Sequence, residues 1–308
     1  PRTVVTLRTC ELFHALTLQG KMNAYDFWHG IARITDNTGL NAPKDHYKDF
    51  IRIMRCFRNV RIAKRGGRAH DPTGIQGTAL GELVVECPAC PQPGRNMPAE
   101  WELLPESERW KHAVMLSVDA NFKLKLKNRG LADVALAPGW AYFVENGPYK
   151  EHIEKYVDQE EMKHCDSSFA AIDHANVPAH KRFAVNGVGA VICARHCFYR
   201  KSGLGDLQRG ERYCNMDYIL LSTIAQTAGN IKLIVLTYDI ACQFSKNFGR
   251  RMSEYPEGLR IDLNGVTFIF AVPKFHLLAH GPQCQVEYNL NQTDGVGRTC
   301  GEGIEAGW

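Results

Sequence analysis

The sequence predicts an α/β protein in which a mixed sheet with flanking helices follows a small helical segment at the N-terminus. Two apolar runs, "AVMLSVD" and "KLIVLTYD", have the composition of buried strands, and each ends in an aspartate. Between them lies a longer helical pattern, "RYCNMDYILLSTIAQTA". Strand and helix patterns therefore alternate within one part of the chain, as they do in this fold class.

Composition limits the kind of protein. A chain of 308 residues, 44% hydrophobic and 23% charged, is long enough for one large domain or two ordinary ones. Its net charge of +4 suits a nucleic-acid binder and an ordinary enzyme equally. We find no membrane-spanning run and no secretory leader, so the eleven cysteines are interpreted as reduced thiols, some on metal. Because the chain starts with proline and stops soon after its last acidic motif, we expect a longer parent protein.

Residues 1 to about 68 have the periodicity of helices. Two helices joined near Gly20 fit either a helix-turn-helix or a plain α-hairpin. A third helix from about His46 carries cations at every third position, which we call the basic stripe: Arg52, Arg55, Arg58, Arg61 and Lys64. Few acids compensate this stripe, so DNA phosphate contact and an ordinary solvated face are both open interpretations.

The remaining chain divides into a loop region and a core. Residues 69–110 are rich in glycine and proline and surround the motif "CPAC". Residues 111–308 are predicted to hold the sheet, whose further strands are "GVGAVICAR", "HCFYRK" and "VTFIFAVPKF". An acidic, helical insertion of about 130–183 separates the first two strands, and "GEGIEAGW" is expected to open a final helix.

Four carboxylates are candidates for a catalytic metal site. Asp119 and Asp239 end two strands, and Glu302 and Glu305 lie three residues apart near the C-terminus. Such oxygen ligands can hold two divalent ions that contact the attacking and leaving oxygens of a phosphodiester. We favour Glu305 as the third ligand and keep Glu302 as the alternative. The simpler interpretations are a turn or cap for the aspartates and a helix-dipole role for Glu302.

Cysteine and histidine spacing predicts a second, structural metal site. Cys87 and Cys90 form a CxxC half-site, and Cys193 and His196 form a CxxH half-site that would complete a tetrahedral zinc site. The competing interpretation is that Cys193 is a core thiol. Weaker candidate ligands are His164, Cys165, His276, His280 and Cys284. We find no phosphate-binding loop, nucleotide fingerprint or nucleophile elbow, so no nucleotide cofactor is expected.

Seven motifs between Cys87 and Trp308 occur in a recognisable order. They are "CPACPQPGRNMP", "SVDANFKLK", "GVGAVICARH", "GLGDLQRGERYCNMDY", "TYDIACQF", "VPKFHLLAHGPQCQ" and "GVGRTCGEGIEAGW". In that order they resemble the core of the Kyakuja–Dileera–Zisupton (KDZ) transposases, a group found mainly in basidiomycete fungi. The run "PRTVVTLRTCELFHALTLQGKMNAYDF" is similar to the segment before this core, where a cysteine-cluster domain is attached.

The resemblance implies a DDE-type transposase with an RNase H-like catalytic core. It implies that Asp119, Asp239 and one of Glu302 and Glu305 bind two Mg²⁺ or Mn²⁺ ions, with the two aspartate-bearing strands as neighbours. It also implies that the protein binds DNA in the nucleus, with no membrane contact, and it leaves homo-oligomerisation open.

One motif departs from the family pattern. Where members usually show "GRTDGE", this chain has "GRTCGE", with Cys300 in place of the aspartate. A thiol is a poor ligand for magnesium, so this copy is expected to be impaired, to bind Mg²⁺ weakly, and not to transfer strands by itself. The alternatives are a non-catalytic, zinc-stabilised DNA-binding or scaffold protein derived from such an element, and a nuclease of the same fold.

Overall fold

The computed structural model describes residues 3–128, 130, 134–156, 182–208, 210–227, 231–262 and 265–308. Internal contacts divide the chain into two compact units, Pro1–Gly77 and Thr78–Trp308. Within these described ranges, no helix has the length and apolar character required to cross a membrane.

The N-terminal unit is helical, as predicted. Its helices are α1 (Leu7–Gly20), α2 (Ala24–Thr35) and α3 (Tyr47–Arg65). The Thr6 hydroxyl accepts a hydrogen bond from the Thr9 backbone N–H and caps α1, and Asn23 caps α2 in the same way. Lys21, in the left-handed conformation, ends α1 just after Gly20. The chain therefore reverses within three residues between the first two helices.

Aromatic side chains form the core of this unit. The Phe13 ring centroid lies 4.8 Å from that of Phe27 and 5.2 Å from that of Phe50. These three side chains are buried, together with Cys10 and Met54. Burying several aromatic rings is the main source of stability for a helical unit of this size.

The larger unit contains the predicted sheet. In chain order its elements are β1 (Val114–Asn121), β2 (Leu126–Lys127), α4 (Asn146–Tyr156), β3 (Phe183–Val185), β4 (Gly187–Cys193), β5 (Tyr199–Leu207), α5 (Tyr213–Thr227), β6 (Leu233–Tyr238), α6 (Ala241–Phe244), α7 (Phe248–Glu254), β7 (Thr267–Ala271), α8 (Lys274–Leu277) and α9 (Pro282–Glu287).

Five strands form one mixed sheet in the order β5-β4-β1-β6-β7. β4 is antiparallel to both β1 and β5, whereas β1, β6 and β7 are parallel. β2 and β3 form a separate antiparallel pair. The fully buried β4 and β6 lie on either side of β1, so β1 is the centre of the sheet.

Glycines in two strands let α5 approach the sheet closely. A Cβ atom on Gly189 of β4 would lie 2.8 Å from the Met216 sulfur, and one on Gly205 of β5 would lie 2.6 Å from Ile219 Cδ1. Both contacts are too short for real atoms, so packing against α5 explains Gly189 and Gly205. The other glycine of "GVGAV", Gly187, lies against Phe122, where a Cβ atom would be 2.9 Å from Cδ1, so neither glycine of this motif needs a phosphate-binding role.

A buried ion pair joins α7 to α5. Arg251 donates from Nε and Nη2 to the two carboxylate oxygens of Asp217, at 2.6 and 3.1 Å. Tyr255 donates its hydroxyl to the same carboxylate at 2.6 Å, and the Arg251 guanidinium lies over the rings of Tyr213 and Phe244. With its charge matched and hydrogen-bonded, the pair is tolerated inside the core.

The expected final helix is wrong. Residues 301–304 form a bend and a turn, and only the 3-10 turn Glu305–Gly307 follows. Gly301 has φ = 80°, which α-helical backbone cannot adopt, and Gly303 adds a second weak helix former. In the predicted insertion, α4 is helical as expected, whereas 157–181 lies outside the described residues, as do His164 and Cys165.

Candidate metal centres

Asp119 and Asp239 lie at the same end of the sheet. The register of the parallel pair β1–β6 places Val118 opposite Tyr238, and the two aspartates are the next residues along each strand. Since the strands run in the same direction, both carboxyl groups reach the end at which the strands finish. Neighbouring strands were expected for these residues, and the strand pairing confirms this.

The carboxyl groups of Asp119 and Asp239 have too little positive charge near them to balance two ionised carboxylates. Burial and the nearby Asp119 carboxylate raise the pKa of Asp239 to about 7. Its Oδ1 is buried and accepts no hydrogen bond within the described part of the chain. Burial also raises the pKa of Asp119, although Trp308 donates from its indole Nε1 to Asp119 Oδ2 at 2.7 Å. A buried oxygen beside a second carboxylate is a favourable position for a cation.

Glu302 and Glu305 share one histidine. His276 Nδ1 lies 3.2 Å from Glu302 Oε2, and Nε2 lies 3.0 Å from Glu305 Oε1. Glu302 also accepts a hydrogen bond of 2.6 Å from the Phe275 backbone N–H. Each ring nitrogen of His276 therefore faces a carboxylate oxygen of a different glutamate. His276 and the two glutamates could also hold a metal ion, since one ligand atom of each lies within 4.8 Å of the others.

Specific contacts attach the glutamate-bearing segment to the sheet. The Ser117 hydroxyl of β1 donates to the Gly301 carbonyl oxygen at 2.9 Å. A Cβ on Gly301 would lie 3.1 Å from the Thr237 hydroxyl, one on Gly303 only 2.2 Å from the Cys197 sulfur, and one on Gly307 2.6 Å from the Tyr199 hydroxyl. We call residues 301–307 the terminal segment.

One apolar side chain anchors the terminal segment. Ile304 is buried against Ala190 and Ile192 of β4. The packing of Ile304 therefore positions Glu305, and no helix presents it as was expected.

The two aspartates and two glutamates belong to one electrostatic cluster. Glu305 raises the pKa of both Asp119 and Asp239, and His276 lowers both. We call Asp119, Asp239, Glu302 and Glu305 the acidic cluster. His276 contacts its two glutamates and acts on its two aspartates electrostatically. Hard oxygen ligands with surplus negative charge suit Mg²⁺ or Mn²⁺. The side chain of Cys300 is exposed, and its backbone carbonyl accepts a hydrogen bond from Lys274 N–H.

The predicted thiol ligands also lie together. The Cys90 and Cys193 sulfurs are 3.3 Å apart, and His196 Nδ1 lies 3.4 Å from the Cys87 sulfur and 3.6 Å from the Cys193 sulfur. All three cysteines are buried. We call these four side chains the thiol cluster. The thiol of Cys90 donates to Cys193, which lowers the pKa of Cys193 to about 4 and raises that of Cys90. A readily formed thiolate is what a zinc site requires.

The thiol cluster lies away from the aspartates. Cys193 ends β4 opposite Leu116, toward the beginning of β1, whereas Asp119 is near the end of β1. The two clusters therefore occupy different ends of the same strand.

Comparison with known families identifies the chain. Residues 112–308 match the family model of the Kyakuja-Dileera-Zisupton transposases. The chain belongs to the KDZ transposase family. Residues 1–39 match the CxC2 like cysteine cluster associated with KDZ transposases. No curated protein and no solved structure matches the chain.

Family membership makes this a transposase-derived protein, and it implies DNA binding. The KDZ match begins two residues before β1 and includes the whole sheet with all four carboxylates. The CxC2 match covers α1 and α2, in which the only cysteine is Cys10, a buried core residue.

The basic stripe is solvent-exposed. Arg52, Arg55, Arg58, Arg61 and Lys64 are all exposed along α3. The guanidinium of Arg58 lies over the Phe13 ring and that of Arg61 over the Phe57 ring, which orders both side chains while leaving them accessible. The stripe is therefore available for contact with phosphates.

Sequence reasoning missed three contributors to these sites. His276 was predicted only as a weaker candidate metal ligand, and its position between the two glutamates was not predicted. Trp308, the donor to Asp119, was not considered, and Cys242 was overlooked although it lies near His280 and Cys284. The only available signal was the short spacing from Asp239 to Cys242.

Proposed function

We propose that the protein is a metal-dependent DNA phosphoryl transferase of the DDE type, which cleaves DNA and joins strands. The observation that carries this proposal is the buried Oδ1 of Asp239, which has no hydrogen-bond partner among the described residues and lies beside a second carboxylate on the neighbouring strand. An isolated buried carboxylate is unfavourable unless a cation accompanies it. The strand order, with the antiparallel β4 and β5 beside a parallel trio, supports an RNase H-like core.

Asp119, Asp239 and Glu305 would hold the two Mg²⁺ or Mn²⁺ ions, with Glu302 as the alternative third ligand. Divalent ions at such a site neutralise phosphate charge and activate a water or a 3′-hydroxyl for in-line attack. Because Asp119 and Asp239 lie at the ends of sheet strands, the sheet would hold their carboxylate oxygens in position. His276 would keep both glutamates in place, because each of its ring nitrogens contacts one of them.

We propose that the thiol cluster binds one structural zinc ion. Three buried thiols and an imidazole from two distant stretches of chain supply the four ligands of a closed tetrahedral site. Such an ion would fasten the loop before β1 to the end of β4. Because the substrate would be chromosomal DNA, we also propose a nuclear location.

A non-catalytic DNA-binding or scaffold protein is the second candidate. It is favoured by Cys300, which replaces a carboxylate two residues before Glu302, and by the Trp308 indole, which occupies one oxygen of Asp119. In that case the acidic cluster would be a remnant, and the zinc site and the basic stripe would carry the function.

Cleavage of DNA that carries the ends of the protein's own element tests the proposal. We expect no detectable nicking by the unmodified protein, and nicking by Cys300→Asp with Mn²⁺ or Mg²⁺ that stops with EDTA and exceeds the background at least tenfold, because a carboxylate is restored beside the cluster. Asp239→Asn should abolish this nicking, and Asp294→Asn, which removes an exposed carboxylate elsewhere, should leave it unchanged. DNA binding without cleavage by the protein and by Cys300→Asp would favour the scaffold.

The basic stripe gives a separate prediction. Replacing Arg52 and Lys64 together by glutamine should weaken binding to all DNA sequences alike. The log–log dependence of affinity on salt should fall by roughly one unit per lost phosphate contact. The control is Arg33→Gln on α2, which removes an exposed cation outside the stripe. A salt dependence equal to that of the unmodified protein would make the stripe an ordinary solvated face.

A further inference from the structure

A third cluster of potential metal ligands lies directly after β6. The ligand atoms of Cys242, His280 and Cys284 all lie within 4.8 Å of one another. The Cys242 sulfur is 3.5 Å from His280 Nδ1. Cys242 and His280 are 1% and 4% exposed, whereas Cys284 is partly exposed. None of the three belongs to the acidic cluster or the thiol cluster.

Two separate stretches of chain supply these side chains. Cys242 lies in α6, three residues after Asp239. His280 lies just before α9 and Cys284 lies within it, at HxxxC spacing. Gln285 fixes the connecting turn, because its side-chain amide donates to the His280 carbonyl at 2.6 Å and its backbone N–H donates to Gly281. The turn therefore presents the histidine and the cysteine toward α6 as one preformed pair.

We propose that Cys242, His280 and Cys284 bind a Zn²⁺ ion. Two thiolates and one imidazole form a soft ligand set that selects zinc over the hard ions Mg²⁺ and Mn²⁺. Three protein ligands leave one tetrahedral position for a water molecule, which would enter from the side of the partly exposed Cys284. The site is distinct from the thiol cluster and does not require the protein to cleave DNA.

Such an ion would fix the position of Asp239. It would join the turn after β6 to the α8–α9 stretch, which carries His276. Cys242, His280 and Cys284 are thus positioning residues, which act on the acidic cluster through the backbone.

Zinc content of the intact protein tests this inference. Cys242→Ser and Cys284→Ser should each bind one zinc fewer per chain than the unmodified protein, whatever the thiol cluster binds. The matched control is Cys214→Ser, a buried cysteine of α5 outside all three clusters, which should bind as much zinc as the unmodified protein. If Cys242→Ser fails to fold, Cys284→Ser still gives the zinc content, because Cys284 is partly exposed.

Cobalt substitution provides a second readout. Co²⁺-loaded Cys284→Ser should lose the part of the thiolate-to-metal absorbance that comes from this site, whereas Cys214→Ser should keep all of it. Loss of one zinc in Cys284→Ser, with Cys90→Ser still able to bind cobalt through thiolates, would support the site. Zinc content and cobalt spectra that are unchanged in Cys284→Ser would overturn it and leave a buried thiol–imidazole contact.

Discussion

Asp239→Asn is expected to make the metal-free protein more stable while removing its response to Mg²⁺. The pKa of Asp239 is about 7 in the folded protein, against about 3.9 for an unperturbed aspartate. Between these values the folded chain binds more protons than the unfolded chain, so the free energy of unfolding falls as the pH rises from about 4 to about 7. Asparagine carries no charge and removes this loss.

The size of this effect is measurable by urea unfolding in EDTA. We expect Asp239→Asn to be about 2 kcal/mol more stable than the unmodified protein at pH 8 and of similar stability at pH 4. Mg²⁺ should stabilise the unmodified protein, because it binds the folded state, and should not stabilise the variant. Asp294→Asn is the control for removing a carboxylate. A variant less stable than the unmodified protein at pH 8 would contradict an uncompensated charge at this position.

The second large effect is expected for Cys90→Ser. Serine removes one of the four side chains of the thiol cluster, so the protein should lose one zinc per chain. The free energy of unfolding should fall by more than about 4 kcal/mol, the range reached when a structural metal is lost. Denaturant unfolding and metal analysis of the same sample measure both quantities.

Cys197→Ser is the matched control for this prediction. Cys197 follows His196 in the chain but is exposed and lies outside the thiol cluster, so the substitution should change neither zinc content nor stability. If Cys90→Ser keeps its zinc and its unfolding midpoint, the buried cysteines are core thiols.

The sheet was predictable because its strands are continuous apolar runs. β1 and β6 are buried almost throughout, so their aspartates mark the strand ends in the sequence itself. That β1 and β6 are neighbours was only implied by the family resemblance, since pairing depends on the path of the intervening chain. The half-sites Cys87–Cys90 and Cys193–His196 could be paired although they are far apart in the sequence. Each supplies two ligands, and a tetrahedral zinc site needs four.

The remaining contacts depend on geometry that spacing does not encode. His276 and His280 are four residues apart, which suggests one shared helical face, but α8 ends at Leu277 and the two imidazoles reach different clusters. The prediction of a final helix was wrong for a related reason. It gave the helical spacing of Glu302 and Glu305 more weight than the neighbouring glycines. Contacts of this kind are set by where short elements end.

The small residues of the terminal segment favour one alignment against the sheet. A side chain at Gly301 would crowd Thr237 of β6, one at Gly303 would crowd the Cys197 sulfur in the turn before β5, and one at Gly307 would crowd the Tyr199 hydroxyl of β5. Ile304 lies between these glycines and is buried against β4. A slip of one residue in either direction would push a glutamate or isoleucine side chain into a space that holds none. The order of small and large residues thus determines where both glutamates lie relative to the ends of β1 and β6.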